Sequence, residues 1–215
     1  IASDMVKDEI ITKEEALQRI EPGMVDQLLR DQYDPDALKG ATRIAKGLNA
    51  SPGAAVGQVV FDADDAVEWV EQGKKVVLVR IETSPDDFHG MAIAEGILTA
   101  RGGATSHAAV VARQIGKPCV AGCAELTVDY ANKTAISVNS GNTFKEAEWI
   151  SLYGGTGEVF EGALGTVSAD YDEQDDLKTV LGWADEVRRH GVWTNADKPE
   201  EAERARGYVA ESIGL

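Results

Sequence analysis

Hydrophobic and polar positions along the chain change period several times, and each change marks an element. Thr12-Lys13-Glu14-Glu15 has the Ser/Thr-x-x-Glu form of a capping box, with Ala16, Leu17 and Ile20 following at helical spacing. Glu21-Pro22-Gly23 interrupts that pattern and Met24, Val25, Leu28 and Leu29 resume it, so residues 1–38 read as a small helical hairpin. Two strands, Arg43–Leu48 and Ala54–Phe61, then flank a turn at Ser51-Pro52-Gly53. Asp62 caps a helix with Ala66, Val67, Trp69 and Val70 on its apolar side, stopped by Gly73. Lys75–Ile81 is a β-branched run and predicts a buried strand. Ser84-Pro85-Asp86-Asp87 is a helix start, with Pro at the first position and carboxylates suited to the dipole. Ile97–Ala100 predicts the next strand, the apolar run Ala108–Ile115 a helix closed by Gly116, and Pro118–Ala121 a further strand. Between Leu126 and Gly162, short apolar runs separated by turn residues predict antiparallel strands at Thr134–Val138, Trp149–Leu152 and Glu158–Phe160. An acidic linker, Ala163–Asp176, leads to an amphipathic helix, Leu177–Arg189. A strand at Val192–Asp197, a helix at Pro199–Tyr208 and a strand start at Ser212–Leu215 complete the pattern.

Strands alternating with helices, beside a β-rich stretch, predict an α/β (α+β) protein, and a hydrophobic content of 43% with 22 glycines agrees. The 215 residues begin at Ile1 and stop at Ile213-Gly214-Leu215 in mid-pattern, as an excised piece would. A net charge of −16 argues against nucleic acid or an anionic membrane as partner. No apolar run approaches the ~20 residues that span a bilayer, and no signal-peptide pattern opens the chain. Cys119 and Cys123 are too few for a disulfide scaffold or a four-ligand zinc site; they read as small packing residues of a reduced, cytoplasmic protein, and no metal site is expected. His89 and His190 read as surface residues.

The chemistry concentrates in Gly102-Gly103-Ala104-Thr105-Ser106-His107. A glycine pair delivers two hydroxyl residues suited to an N-cap, and the helix that starts near His107 offers unpaired amides and a positive dipole end to an anion. Imidazole is a good nucleophile near neutral pH, so His107 is the candidate carrier of a phosphoryl group. The amides of Thr105 to Ala108 and the hydroxyls of Thr105 and Ser106 would donate to that group. Arg113, less than two turns along the helix, and Arg101, beside Gly102 and Gly103, are the candidate cations. The plain alternative is a loop that binds an anion without chemistry, with His107 as a cap.

The stretches Glu82–Asp87, Ala94–Arg101 and Gly102 through Cys123 resemble the pyruvate phosphate dikinase family, in which the histidine of the GG-x-TSHAAVVAR segment is phosphorylated. The segment is similar, more loosely, to phosphoenolpyruvate synthase and to enzyme I of the sugar phosphotransferase system. The resemblance implies a swivelling β/β/α phosphohistidine domain at 41–163. Residues 1–40 would be a helical lead-in from an ATP-grasp nucleotide-binding domain, and 164–215 a linker with the first βα unit of a truncated (β/α)8 phosphoenolpyruvate/pyruvate barrel. It implies the reaction ATP + phosphate + pyruvate ⇌ AMP + diphosphate + phosphoenolpyruvate, catalysed by a homodimeric cytoplasmic enzyme with Mg²⁺ and a monovalent cation bound outside this chain. It places Thr83 near the histidine loop, puts the arginine matching Arg113 with the phosphohistidine, and makes Thr105 a regulatory phosphorylation site, while Arg101, Gly102 and Gly103 are phosphoryl-binding candidates from their place in the loop. It also implies that Nε2 is the phosphorylated nitrogen. A synthase-type carrier, with water as second acceptor, is the alternative within the resemblance; Ser106 is dikinase-like, where the synthase has cysteine.

Overall fold

The structure is a computed structural model that describes residues 2–21, 25, 28, 30–139, 141–167, 174–191, 193–195 and 212–214. The chain forms two compact units, Pro22–Asp170 and a smaller one from Ile1–Glu21 with Tyr171–Leu215. In chain order the described elements are helices α1 (Ala2–Lys7) and α2 (Lys13–Arg19), strand β1 (Gln32–Tyr33), helix α3 (Pro35–Lys39), and strands β2 (Arg43–Lys46), β3 (Leu48–Ser51) and β4 (Ala54–Val60). There follow α4 (Ala63–Glu71), β5 (Val76–Arg80), α5 (Phe88–Ile93), β6 (Gly96–Thr99), α6 (His107–Ile115) and β7 (Cys119–Ala121). The last are β8 (Leu126–Asp129), β9 (Thr134–Ser137), β10 (Thr143–Lys145), β11 (Trp149–Tyr153), β12 (Glu158–Glu161), β13 (Thr166–Val167), α7 (Asp175–Val187), β14 (Trp193–Asn195) and β15 (Ser212–Gly214).

The larger unit is built on an eight-stranded mixed sheet in the order β2-β12-β11-β4-β5-β6-β7-β3. Its centre, β4 to β7, is parallel, with antiparallel strands on either flank. The two edge strands, β2 and β3, are separated in sequence by Gly47 alone, so the sheet must curl until its edges meet. Gly47 shows where. Its amide donates to Gly157 O at 2.8 Å, beside β12 at one end of the strand order, while a Cβ there would lie 2.8 Å from Ala121 O on β7 at the other.

Period-2 alternation splits the core in two. Val77, Val79, Leu98 and Val120 point into the curl with Ile44, Ala55, Val59, Ile150, Leu152 and Val159. The intervening Val76, Leu78, Ile97 and Cys119 face the helices, against Ala66, Met91, Ala108 and Ala112. A small antiparallel sheet, β8-β9-β10, closes the inner core with Leu126, Ala135 and Phe144. The mixed α/β architecture expected of a phosphohistidine mobile domain is therefore present.

The unit extends beyond residues 41–163 because Tyr33, 3% exposed, packs edge-on against Tyr153 and Phe160 with its hydroxyl 2.8 Å from both Ala55 O and Leu152 O, and because β1 pairs with β13.

Several local expectations differ from the structure. Arg43–Leu48 is not one strand: the chain breaks at Gly47, and β3 runs on to Ser51, which had read as a turn residue. Strands β8 and β10 were not expected; each is three or four residues long and contributes one buried side chain. The capping box at Thr12 forms as expected, with Glu15 N on Thr12 Oγ1 at 3.2 Å and Thr12 N on Glu15 Oε2 at 2.9 Å. Of the run Met24–Leu29, Val25 and Leu28 are helical and the rest lie outside the described residues, as does the expected helix Pro199–Tyr208. In the smaller unit, Lys13 pairs with Glu186 at 2.7 Å, and β14 and β15 pair in parallel.

Cys119 and Cys123 are free, buried thiols, and burial pushes both up to about 12 from the ordinary 9.0. The carboxylate of Glu125 reinforces the rise at Cys123, while Arg113 opposes it at Cys119. His89 and His190 are exposed, the former with its Nε2 2.9 Å from Asp64 Oδ1.

Candidate functional site

Parallel strands β5 and β6 end side by side, and the loops that leave them meet over the start of α6. Thr99, fully buried at the end of β6, donates its hydroxyl to Arg101 O at 2.8 Å and accepts from Gly122 N at 3.3 Å. Gly102 turns the chain with φ of +117°, and a Cβ there would lie 2.9 Å from Ser106 Cβ. Ser106 N then donates to Gly103 O at 3.0 Å, and Ser106 caps α6 by accepting from Ala109 N at 3.4 Å.

His107 is therefore the first residue of the helix, half-buried, with its Nδ1 3.0 Å from Thr83 Oγ1. Of the four amides read from the sequence, that of Ser106 is spent on the loop. Those of Thr105, His107 and Ala108 make no hydrogen bond among the described residues, as the first amides of a helix do not, although Ala108 itself is 2% exposed.

Residues 72–157 match the family model of the PEP-utilising enzyme, mobile domain. Residues 72–157 are thus the part of the chain that carries the mobile domain of the PEP-utilising enzymes. It is also 52% identical over 216 residues to pyruvate, phosphate dikinase 1, chloroplastic, of Arabidopsis thaliana, aligning 100% of this chain with 22% of that protein. It is 47% identical over 215 residues to pyruvate, phosphate dikinase of Rhizobium meliloti (strain 1021), covering 23% of it, and 48% identical over 215 residues to that of Clostridium symbiosum, covering 24%. The chain thus spans about a quarter of the length of the relatives it matches.

Within the mobile domain the other residues read from the sequence separate into groups. Arg113 reaches back along α6 to clamp backbone: Nη1 donates to Ala50 O at 3.0 Å and Nη2 to Ala104 O at 2.9 Å. It holds edge strand β3 to the glycine loop, with both terminal nitrogens on carbonyls. Arg101 is exposed and lies 3.9 Å from Glu82 Oε1, a loose pairing on the rim. Thr105 is exposed, and Gly103 has nothing within 4 Å of its Cβ position.

Three residues that the sequence reasoning passed over also bear on the site. Tyr130, from the β8–β9 turn, accepts from Ile81 N at 2.7 Å. Asp87 and Arg80 pair at 3.1 Å beneath the Thr83 loop. Only the helix-start pattern at Asp87 hinted at any of these.

Three clefts on this unit lie elsewhere, one lined by Phe144, Trp149 and Glu161, another by Gly53, Tyr153 and Thr156, a third by Arg30, Gly116 and Pro118. His107 stands at the surface rather than in any of these three. Among the described residues no group of three or more His, Cys, Asp or Glu is arranged to hold a metal ion, and no helix is long and apolar enough to cross a membrane.

Proposed function

We propose that His107 is the phosphoryl-carrying nucleophile of a pyruvate, phosphate dikinase-type phosphotransferase. The observation that carries this reading is the pose of the imidazole. It stands at the first turn of α6, half-buried, with Nδ1 3.0 Å from Thr83 Oγ1 and in a helix start whose first amides make no hydrogen bond among the described residues. A ring whose Nδ1–H donates to Thr83 keeps its lone pair on Nε2, the nitrogen that faces away from that contact.

In the first step Nε2 attacks the β-phosphorus of ATP, the N–P bond forms as the bond to the α-phosphate oxygen breaks, and AMP leaves. Inorganic phosphate then takes the terminal phosphoryl as diphosphate. The enolate oxygen of pyruvate, formed by loss of a methyl proton, takes the remaining phosphoryl from Nε2 to give phosphoenolpyruvate. Such transfers need positioning and charge compensation more than covalent help. The amides of Thr105, His107 and Ala108 and the hydroxyl protons of Thr105 and Ser106 would supply the compensation here, with Arg101 able to approach from the rim. Gly102 and Gly103 let the loop come that close to a phosphoryl.

Mg²⁺ and a monovalent cation would be held outside the described residues, in an ATP-grasp domain and a phosphoenolpyruvate/pyruvate barrel that act as partners. A fixed His107 could not reach both partners, so the unit built on the eight-stranded sheet would swivel as a body. The exposed hydroxyl of Thr105, two residues from the nucleophile, suits a regulatory phosphate that would repel the incoming phosphoryl. Two free thiols support a reducing compartment, the cytoplasm.

The test is to mix the chain with a dikinase nucleotide-binding domain, Mg·ATP labelled at the β-phosphate, and inorganic phosphate. Acid-labile, alkali-stable label is expected on the chain and none on His107→Asn. Equal labelling of the variant would overturn the assignment, and with ATP labelled at the γ-phosphate, release of that label as inorganic phosphate rather than as diphosphate would point to a synthase-type carrier.

A further inference from the structure

Thr83 meets the imidazole from a short irregular loop, so its aim depends on whatever holds residues 81–84. Asp87 holds one end. Among the described residues it is the one buried charged residue, 5% exposed, and its Oδ2 accepts from Ser84 N at 2.8 Å and lies 3.3 Å from Ser84 Oγ. Its Oδ1 lies 3.1 Å from Arg80 Nη2. Arg80, the last residue of β5, is the other anchor. Its Nη1 donates to Phe61 O at 2.8 Å, and its guanidinium lies 5.0 Å over the ring of Tyr130, whose hydroxyl receives Ile81 N.

The residues on both sides of Glu82-Thr83 are thus tied to one largely buried ion pair. Arg80 Nη1 also lies 3.9 Å from Asp62 Oδ2 at the cap of α4, but that carboxylate is 55% exposed and the pairing is loose, so the close, buried partner of Arg80 is Asp87. Burying a carboxylate and a guanidinium together is costly unless both are fully engaged, and loss of either partner leaves an uncompensated charge.

We propose that Asp87 and Arg80 are positioning residues that fix Thr83 Oγ1 as the acceptor of the His107 Nδ1–H and so keep the nucleophilic lone pair on Nε2. The effect on the ring stands on this geometry; its consequence for phosphoryl transfer rests on the function proposed above. Neither residue touches the phosphoryl group. They act through Ser84 and Thr83.

The test uses the whole chain labelled with ¹⁵N in histidine. Long-range ¹H–¹⁵N spectra at alkaline pH report which ring nitrogen of His107 bears the proton. The parent is expected to show Nδ1–H. Asp87→Asn is expected to shift His107 toward Nε2–H, as is Thr83→Val, with the pair of substitutions giving no further change and the signals of His89 and His190 unmoved. Asp87→Glu should recover part of the parent pattern. Should Asp87→Asn lose its folded amide spectrum, Arg80→Gln serves in its place, with the same expected shift.

A folded Asp87→Asn or Arg80→Gln chain with the parent's ring protonation would overturn the proposal. Chemical phosphorylation of the same proteins by phosphoramidate, followed by ³¹P spectra, should be about tenfold slower for Asp87→Asn. A parent that takes up no phosphoryl on His107, with the protonation shift still seen, would sink the carrier reading and leave the positioning proposal standing.

Discussion

Gly102 and Gly103 are adjacent yet carry different constraints. Gly102 has φ of +117° and no room for a Cβ beside Ser106, whereas Gly103 faces open space. Gly102→Ala is therefore expected to lose about 1–3 kcal/mol in urea unfolding and to disturb the cap beneath His107. Gly103→Ala should unfold within about 0.5 kcal/mol of the parent. The thiols make a second residue-scale prediction. Since burial pushes Cys119 and Cys123 up to about 12, the folded chain keeps two protons that the unfolded chain releases above its ordinary 9.0. Below pH 9 the two states bind these protons equally, so stability should fall as pH rises from about 9 toward 12. The urea midpoint of Cys119→Ala/Cys123→Ala should fall less over that range. Neither thiol should react with iodoacetamide at neutral pH until the chain unfolds.

Helix α6 presents the nucleophile, and its ends are built from local chemistry. Ser106 caps the start, and Gly116 closes the end with φ of +72°. Ser106→Ala should lower stability by about 0.5–2 kcal/mol, measured by urea unfolding. Arg113→Lys should cost stability too, because an ammonium cannot span the carbonyls of Ala50 and Ala104 together, and should loosen the loop in amide exchange.

Although the α-helix expected from Ser84 begins only at Phe88, the starts at Thr12, Asp62 and Ser106 were legible because a cap and its amides lie within three residues of each other. Partners far along the chain were not. Ala50 lies 63 residues before Arg113, so the backbone carbonyl that this candidate cation holds left no trace in the helix spacing. Thr83 lies 24 residues before His107 and was reached through a family resemblance rather than by pattern. The buried pairing of Asp87 with Arg80 left no periodic trace, and its carboxylate read as a solvated complement to a helix dipole. Strands β8 and β10 are too short for alternation to show.

The larger unit as a whole depends on closing its sheet, and glycines permit the closure. A Cβ at Gly157 would lie 2.3 Å from Gly47 O, and one at Gly154 1.9 Å from Ser51 O. Both contacts are with backbone, which cannot swing aside, so Gly154→Ala should destabilise by about 1–3 kcal/mol or more and lower the melting temperature. The sequence could not show this, because a glycine in a close approach looks like a glycine in a turn. The parallel strands that deliver His107 and Thr83 were legible as buried β-branched runs, while the curl that brings β2 and β3 together belongs to no local segment. The proposed carrier chemistry takes place on one nitrogen of one residue. Phosphorylate the ¹⁵N-histidine-labelled chain and record the ¹⁵N–³¹P coupling: a bond from phosphorus to Nε2 of His107 is predicted, and a phosphoryl on Nδ1, or on any other residue, would contradict it.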